Sequence, residues 1–65
     1  MELVKFYNKK VRITDTEGRV FLGHVSDYIY PEDNEPEVES IIVDELSGDL
    51  LEFYEETIKE IEIIE

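Results

Sequence analysis

The sequence predicts an all-β domain: a strongly bent five-stranded barrel with a short N-terminal helix. Three observations carry this. Apolar and polar residues alternate in short runs, as in Val11-Arg12-Ile13 and Ile61-Glu62-Ile63. Gly18 and Gly48 sit in polar turn sequences between such runs. No long segment keeps a helical apolar period.

The elements follow in chain order. Leu3, Phe6 and Tyr7 stand at helical spacing, and Asn8 is a fitting stop, so residues 2–8 read as a short helix or turn. Lys10–Thr16 is a strand in which Val11 and Ile13 alternate with Arg12 and Thr14. Residues 16–19 form a turn, with Gly18 free to take positive φ. Val20–Tyr30 is a long second strand, and Gly23 inside it marks a bend or bulge. Residues 31–37 are a polar loop bounded by Pro31 and Pro36. Val38–Leu46 is the third strand, centred on Ile41-Ile42-Val43, and Ser47-Gly48-Asp49 is a tight hairpin turn. Leu50–Tyr54 is the fourth strand, Glu55-Glu56-Thr57 a short 3₁₀ turn, and Ile58–Ile64 the fifth strand. A two-sheet sandwich is disfavoured in 65 residues, and an SH3-like barrel fits. The expected core is Phe6, Val11, Ile13, Phe21, Val25, Ile41, Val43, Leu51, Phe53, Ile58, Ile61 and Ile63. Residues 1–65 read as one domain.

Composition narrows the function. The net charge is −12, from 18 acidic and 6 basic side chains. The charge is uneven. Residues 1–20 hold five basic groups (Lys5, Lys9, Lys10, Arg12, Arg19) against three acids, whereas residues 21–65 hold only Lys59 against fifteen. Such a balance opposes binding to phosphate backbones and to anionic membranes. There is no Cys, so disulfides and thiolate metal sites are excluded. No apolar run approaches a membrane span, and the N-terminus lacks the apolar core of a secretory signal, so a cytoplasmic location is expected.

Val11 and Ile13, the turn glycine Gly18, the segment Phe21-Leu22-Gly23-His24-Val25 and Asp27 together resemble the first motif of the Sm-like (LSm) family. Tyr54–Ile64 resembles that family's short turn and last strand. The resemblance spans nearly the whole chain and is closest to short bacterial members. It implies a bent five-stranded barrel after a short helix, and subunits joined edge to edge into rings. Two departures bear on function. RNA-binding members carry an Arg-Gly or Lys-His type signature before the last strand, where this chain has Tyr54-Glu55-Glu56-Thr57. The usual Met-Asn after the motif's Asp is replaced around Tyr28-Ile29-Tyr30-Pro31. No RNA-contacting residue carries over.

The remaining candidates are few. His24 is the single histidine, and it lacks a companion nucleophile or second ligand. Ser26 would share a face with His24 on a regular strand, yet no third catalytic member or oxyanion motif accompanies them. The acidic stretch 32–39 lacks the ligand spacing of a calcium loop and reads as a solvated charge run. Tyr28 and Tyr30 are candidate ligand contacts through base stacking, against the simpler reading of amphipathic cover for the core. The fourth and fifth strands would be edges, where Glu52, Glu60 and Glu62 either resist pairing or meet basic groups of a neighbour. The sequence therefore predicts a non-enzymatic interaction module without a cofactor or metal, binding a protein or assembling with itself as a ring or dimer. The alternatives are an RNA-binding ring and an acidic decoy for a basic nucleic-acid-binding protein.

Overall fold

The computed structural model describes residues 1–64. Its strands are β1 (Lys10–Asp15), β2 (Val20–Ile29), β3 (Ser40–Glu45), β4 (Leu50–Tyr54) and β5 (Ile58–Ile63). They form one antiparallel sheet in the order β4-β3-β2-β1-β5. Three hairpins lay β1 to β4 side by side, and β5 returns to pair with β1. β4 and β5 are the two edges, and the described residues show no pairing between them, so the sheet is not closed. None of the described helices is long and apolar enough to cross a membrane.

The turns are built by local chemistry. In the β1–β2 turn the Asp15 carboxylate accepts the backbone N–H of Glu17 at 3.0 Å and of Arg19 at 2.8 Å, and the Arg19 Nε–H at 2.7 Å. A short polar side chain bonding backbone two residues on is what makes Asp a turn former. Gly18 supplies the positive φ of +84° that this path needs.

One core lies on a single face of the sheet. Leu3, Val11, Ile13, Val25, Ile41 and Val43 are fully buried, with Phe6, Phe53 and Ile58 nearly so. Two observations show that the sheet curls around it. First, the 3₁₀ turn Glu55–Thr57 joins β4 directly to β5. From Tyr54 to Ile58 the chain can reach about 14 Å, while four strand spacings in a flat sheet separate such edges by about 19 Å. Second, the Phe21 and Phe53 rings meet edge to face at 5.0 Å. Phe53 lies in the row of Ile41 and Tyr28, and Phe21 stands seven residues up β2 from Tyr28. On a flat sheet that separation is about 20 Å. Two irregularities supply curvature. The register slips between Val25 and Asp27 on β2, and between Thr14 and Asp15 where β1 meets β5.

Several expectations need correction. The N-terminal helix is one 3₁₀ turn, Leu3–Phe6, ended by Asn8 at φ +62°. Four residues gain too few hydrogen bonds to sustain an α-helix. Leu3 joins the core, fully buried, although the expected list omitted it. Ile63 was expected there and is 45% exposed, because β5 is an edge and no strand covers it. Phe21, Leu51 and Ile61 are half-buried against the core. Strand β3 starts at Ser40 rather than Val38, since Asn34 Nδ2 donates to Val38 O and holds that segment in the loop. Ser26 falls at the β2 bulge, where the register slips between Val25 and Asp27.

Gly23 serves close packing rather than the bulge. A Cβ there would stand 2.6 Å from Asp44 O and 2.7 Å from Val43 Cγ1. Gly23→Ala should therefore cost about 1–3 kcal/mol of stability, read as a lower urea midpoint. A second expectation concerns acid. Burial works to raise the Asp15 pKa, but its hydrogen bonds from the Arg19 side chain and from the Arg19 and Glu17 backbone lower it overall. A carboxylate depressed in the fold adds stability above its unfolded value of about 4, and that stability is lost as the pH falls through the folded value. Unfolding measured from neutral to acid pH should show this loss, and Asp15→Asn should flatten it below about pH 4.

Candidate functional site

The 3₁₀ turn Leu3–Phe6 buries Leu3 and Phe6 and leaves Val4 on the surface. The chain after it is registered on β2: Asn8 N–H donates to Val25 O at 2.8 Å, and Val25 N–H donates to Lys9 O at 2.9 Å. This pairing carries Tyr7 to the end of β2, where the chain leaves its bulge through Asp27 and Tyr28. Val4, Tyr7, Asp27, Tyr28 and Tyr30 line an open cleft of about 230 Å³ there.

The cleft has rigid and exposed parts. The Tyr28 hydroxyl donates to Glu39 Oε1 at 2.8 Å, and the same oxygen accepts the Leu3 N–H at 3.1 Å. Glu39 is almost completely buried and ties β3, β2 and the N-terminal turn together. Tyr28 and Tyr30 meet edge to face at 5.1 Å with their planes 87° apart. Tyr7 and Tyr30 are 53% and 57% exposed, respectively. Such large half-exposed rings hold apolar surface in water that a ligand could cover. Asp27 receives the Tyr28 N–H on Oδ1 and makes no ion pair among the described residues.

Tyr28 and Tyr30, the aromatic candidates of the sequence, are thus brought together. His24 is not part of their cleft. Its Nε2 lies 2.8 Å from Asn8 Oδ1. It lines a separate groove of about 330 Å³ with Lys10, Leu22, Gly23, Leu46 and Ile64. The Ser26 hydroxyl is directed to Ile42 O at 3.4 Å. Among the described residues, their hydrogen-bond partners are an amide oxygen and a backbone carbonyl. No group of three or more His, Cys, Asp or Glu is clustered to hold a metal ion among the described residues. Glu52, singled out on β4, accepts a hydrogen bond from the buried Ser40 hydroxyl at 2.8 Å. Glu62 on β5 pairs with Arg12.

A third groove, of about 460 Å³, runs along the β5 edge. Lys5, Arg12 and Lys59 line it with Glu60, Glu62 and the half-buried Ile61. Three of the six basic residues of the chain, from the N-terminal turn, β1 and β5, thus line one groove beside Glu60 and Glu62.

Burial, then the bond to Glu39, pushes the Tyr28 hydroxyl up to about 12. A raised pKa of this kind contributes stability below the unfolded value of about 10, which is lost as the pH rises from there through the folded value. A tyrosinate absorbance titration should show a late step near 12 that Tyr28→Phe removes. Compared with protein-family models, curated proteins and solved structures, the chain matches none.

Proposed function

We propose that the protein is a non-enzymatic interaction module, a curled open barrel of the Sm-like kind, that assembles with copies of itself through the edges of its sheet. The observation that carries this reading is the state of those two edges. β4 and β5 end one continuous sheet and stand unpaired among the described residues. Unpaired strand edges recruit further strands unless something blunts them. Beside each edge lie exposed aliphatic side chains: Leu50 on β4, and Ile63 with Ile64 at β5.

The edges also differ in charge. The β5 groove holds Lys5, Arg12 and Lys59 together with Glu60 and Glu62, a mixed lining. Residues 49–56, which include β4, hold Asp49, Glu52, Glu55 and Glu56 and no basic residue. Pairing β4 of one copy with β5 of the next sets the acidic β4 segment beside Lys5 and Lys59, in a groove that also holds Glu60 and the Arg12–Glu62 ion pair. That contact is head to tail, and head-to-tail contacts close into rings when the rotation allows. The curl of the sheet, its strand order and the β2 bulge support the barrel reading. The net charge of −12 argues against the RNA-binding alternative.

Light scattering at roughly 150 mM salt, where the screening length is about 8 Å, should give one discrete mass of several subunits. Leu50→Glu and Ile63→Glu should each lower it to the monomer, with the β-sheet circular dichroism retained. A monomer at high protein concentration in the unaltered chain would remove the assembly reading.

A further inference from the structure

The geometry points to the tyrosine cleft as a docking site for a cationic side chain, the arginine or lysine of an extended basic segment in a partner protein. The inference goes beyond the assembly reading and uses a different surface. The cleft lies at the far end of β2, and the proposed assembly uses β4 and β5.

The chemistry of the walls selects the occupant. Aromatic faces carry negative charge density and attract cations within about 6 Å of the ring centroid. Tyr28 and Tyr30 stand at 87° to one another, so their rings form a right-angled corner. Tyr7 and Val4 close a further side. Asp27 adds a full negative charge to the lining, and no basic residue lines the cleft. A guanidinium or ammonium group gains the ring faces and the Asp27 carboxylate together. Its alkyl stem covers Val4 and the exposed parts of Tyr7 and Tyr30.

The competing occupants fit less well. A nucleic acid would also stack on the rings, yet its phosphates would meet Asp27 and a chain of net charge −12. A purely apolar segment would leave Asp27 at its border without a partner. The site is also preorganised. Tyr28 is fixed by its bond to Glu39, and Tyr30 by its contact with Tyr28, so little ordering remains to be supplied on binding.

The test uses the full chain and a fluorescein-labelled glycine-serine peptide carrying three spaced arginines, titrated at about 150 mM salt, where long-range attraction is screened. Its partners are a lysine version, a citrulline version of the same shape without charge, and a uridine-rich RNA oligonucleotide. Saturable binding of the arginine or lysine peptide is expected, with little binding of citrulline or RNA. Amide resonance shifts should centre on Tyr7, Asp27, Tyr28 and Tyr30. Tyr30→Ala and Asp27→Asn should each weaken binding about threefold or more, while Tyr7→Phe keeps it. Glu60→Gln removes one charge at the opposite edge and should leave binding unchanged. Equal binding of the citrulline peptide would overturn the proposal, as would equal losses from Glu60→Gln and Asp27→Asn, RNA binding at the same residues, or no saturable binding. Because the cleft is separate from the edges, a monomeric chain that binds the peptide removes the assembly reading alone. An oligomer that does not bind removes this inference alone.

Discussion

The three residues between Tyr54 and Ile58 constrain the whole molecule. They tie together the two strands that the hydrogen-bonding order places furthest apart. A link that short cannot cross a flat five-stranded sheet, so the sheet must roll until its edges approach. The link is held on both sides. Glu55 N–H donates to Glu39 O at 3.0 Å, and Thr16 N–H donates to Thr57 O at 3.0 Å. One bond reaches the chain entering β3, and the other the chain leaving β1. Rolling places Phe53 from one edge strand and Ile58 from the other in a single core. A 65-residue chain gains from this, because each core side chain then meets neighbours from several strands.

The same rolling determines where the tyrosine cleft forms. Curving β2 around the core requires the slip between Val25 and Asp27. Past the slip, Tyr28 aligns with Ile41 of the core row, while its hydroxyl reaches Glu39. Without the extra residue, Tyr28 would fall on the opposite face, since side-chain direction alternates residue by residue. Glu39 then completes the arrangement by holding the Leu3 N–H. One buried carboxylate oxygen thus positions both walls of the cleft, the β2 tyrosines and the N-terminal turn beside which Val4 and Tyr7 lie. Breaking a buried polar link of this kind leaves unpaired donors in the interior, which makes the cleft and the fold interdependent.

What the sequence made legible was local. Val11 and Ile13 alternate with Arg12 and Thr14, and each lies where the alternation puts it. Gly18 and Gly48 take the positive φ that their turns require. The 3₁₀ turn at residues 55–57 followed from a polar triplet between two apolar runs. What was not legible depends on contacts distant in sequence. Ile63 has the pattern of a core residue, and only the strand order leaves it uncovered. Gly23 drew attention as a bend, but its reason is the close approach of Val43 and Asp44 about twenty residues on. The bulge itself falls at Ser26, which carries no compositional mark. Glu39 looked like one more carboxylate in an acidic run, and its burial depends on Leu3 and Tyr28. Tyr28 and Tyr30 were found as a pair because they are neighbours. Tyr7 was missed as their companion because the register of Asn8 on Val25 brings it there.

The distribution of charge explains why an open sheet need not aggregate without order. Two β4 edges meeting face to face would oppose Glu52, Asp49 and the 55–56 pair of each copy, with no basic residue between them. Two β5 edges would each present Lys59 with Glu60 and Glu62, a mixed pattern that opposes pairing less. Like charges placed directly opposite across strands destabilise a pairing. The combination of β4 with β5 is the one in which the acidic β4 edge meets Lys5 and Lys59. It is also directional, so a copy that uses one edge leaves the other available to the next. Under the assembly proposed above, the carboxylates that oppose β4–β4 pairing would favour a sequential one. The exposed Ile63 and Leu50 would supply apolar area to bury, at about 25 cal/mol for each Å². The tyrosine cleft is built by other strands and lies outside this contact. Assembly would then repeat the cleft once per subunit around the structure, and a partner with several cationic side chains would gain from engaging more than one copy at once.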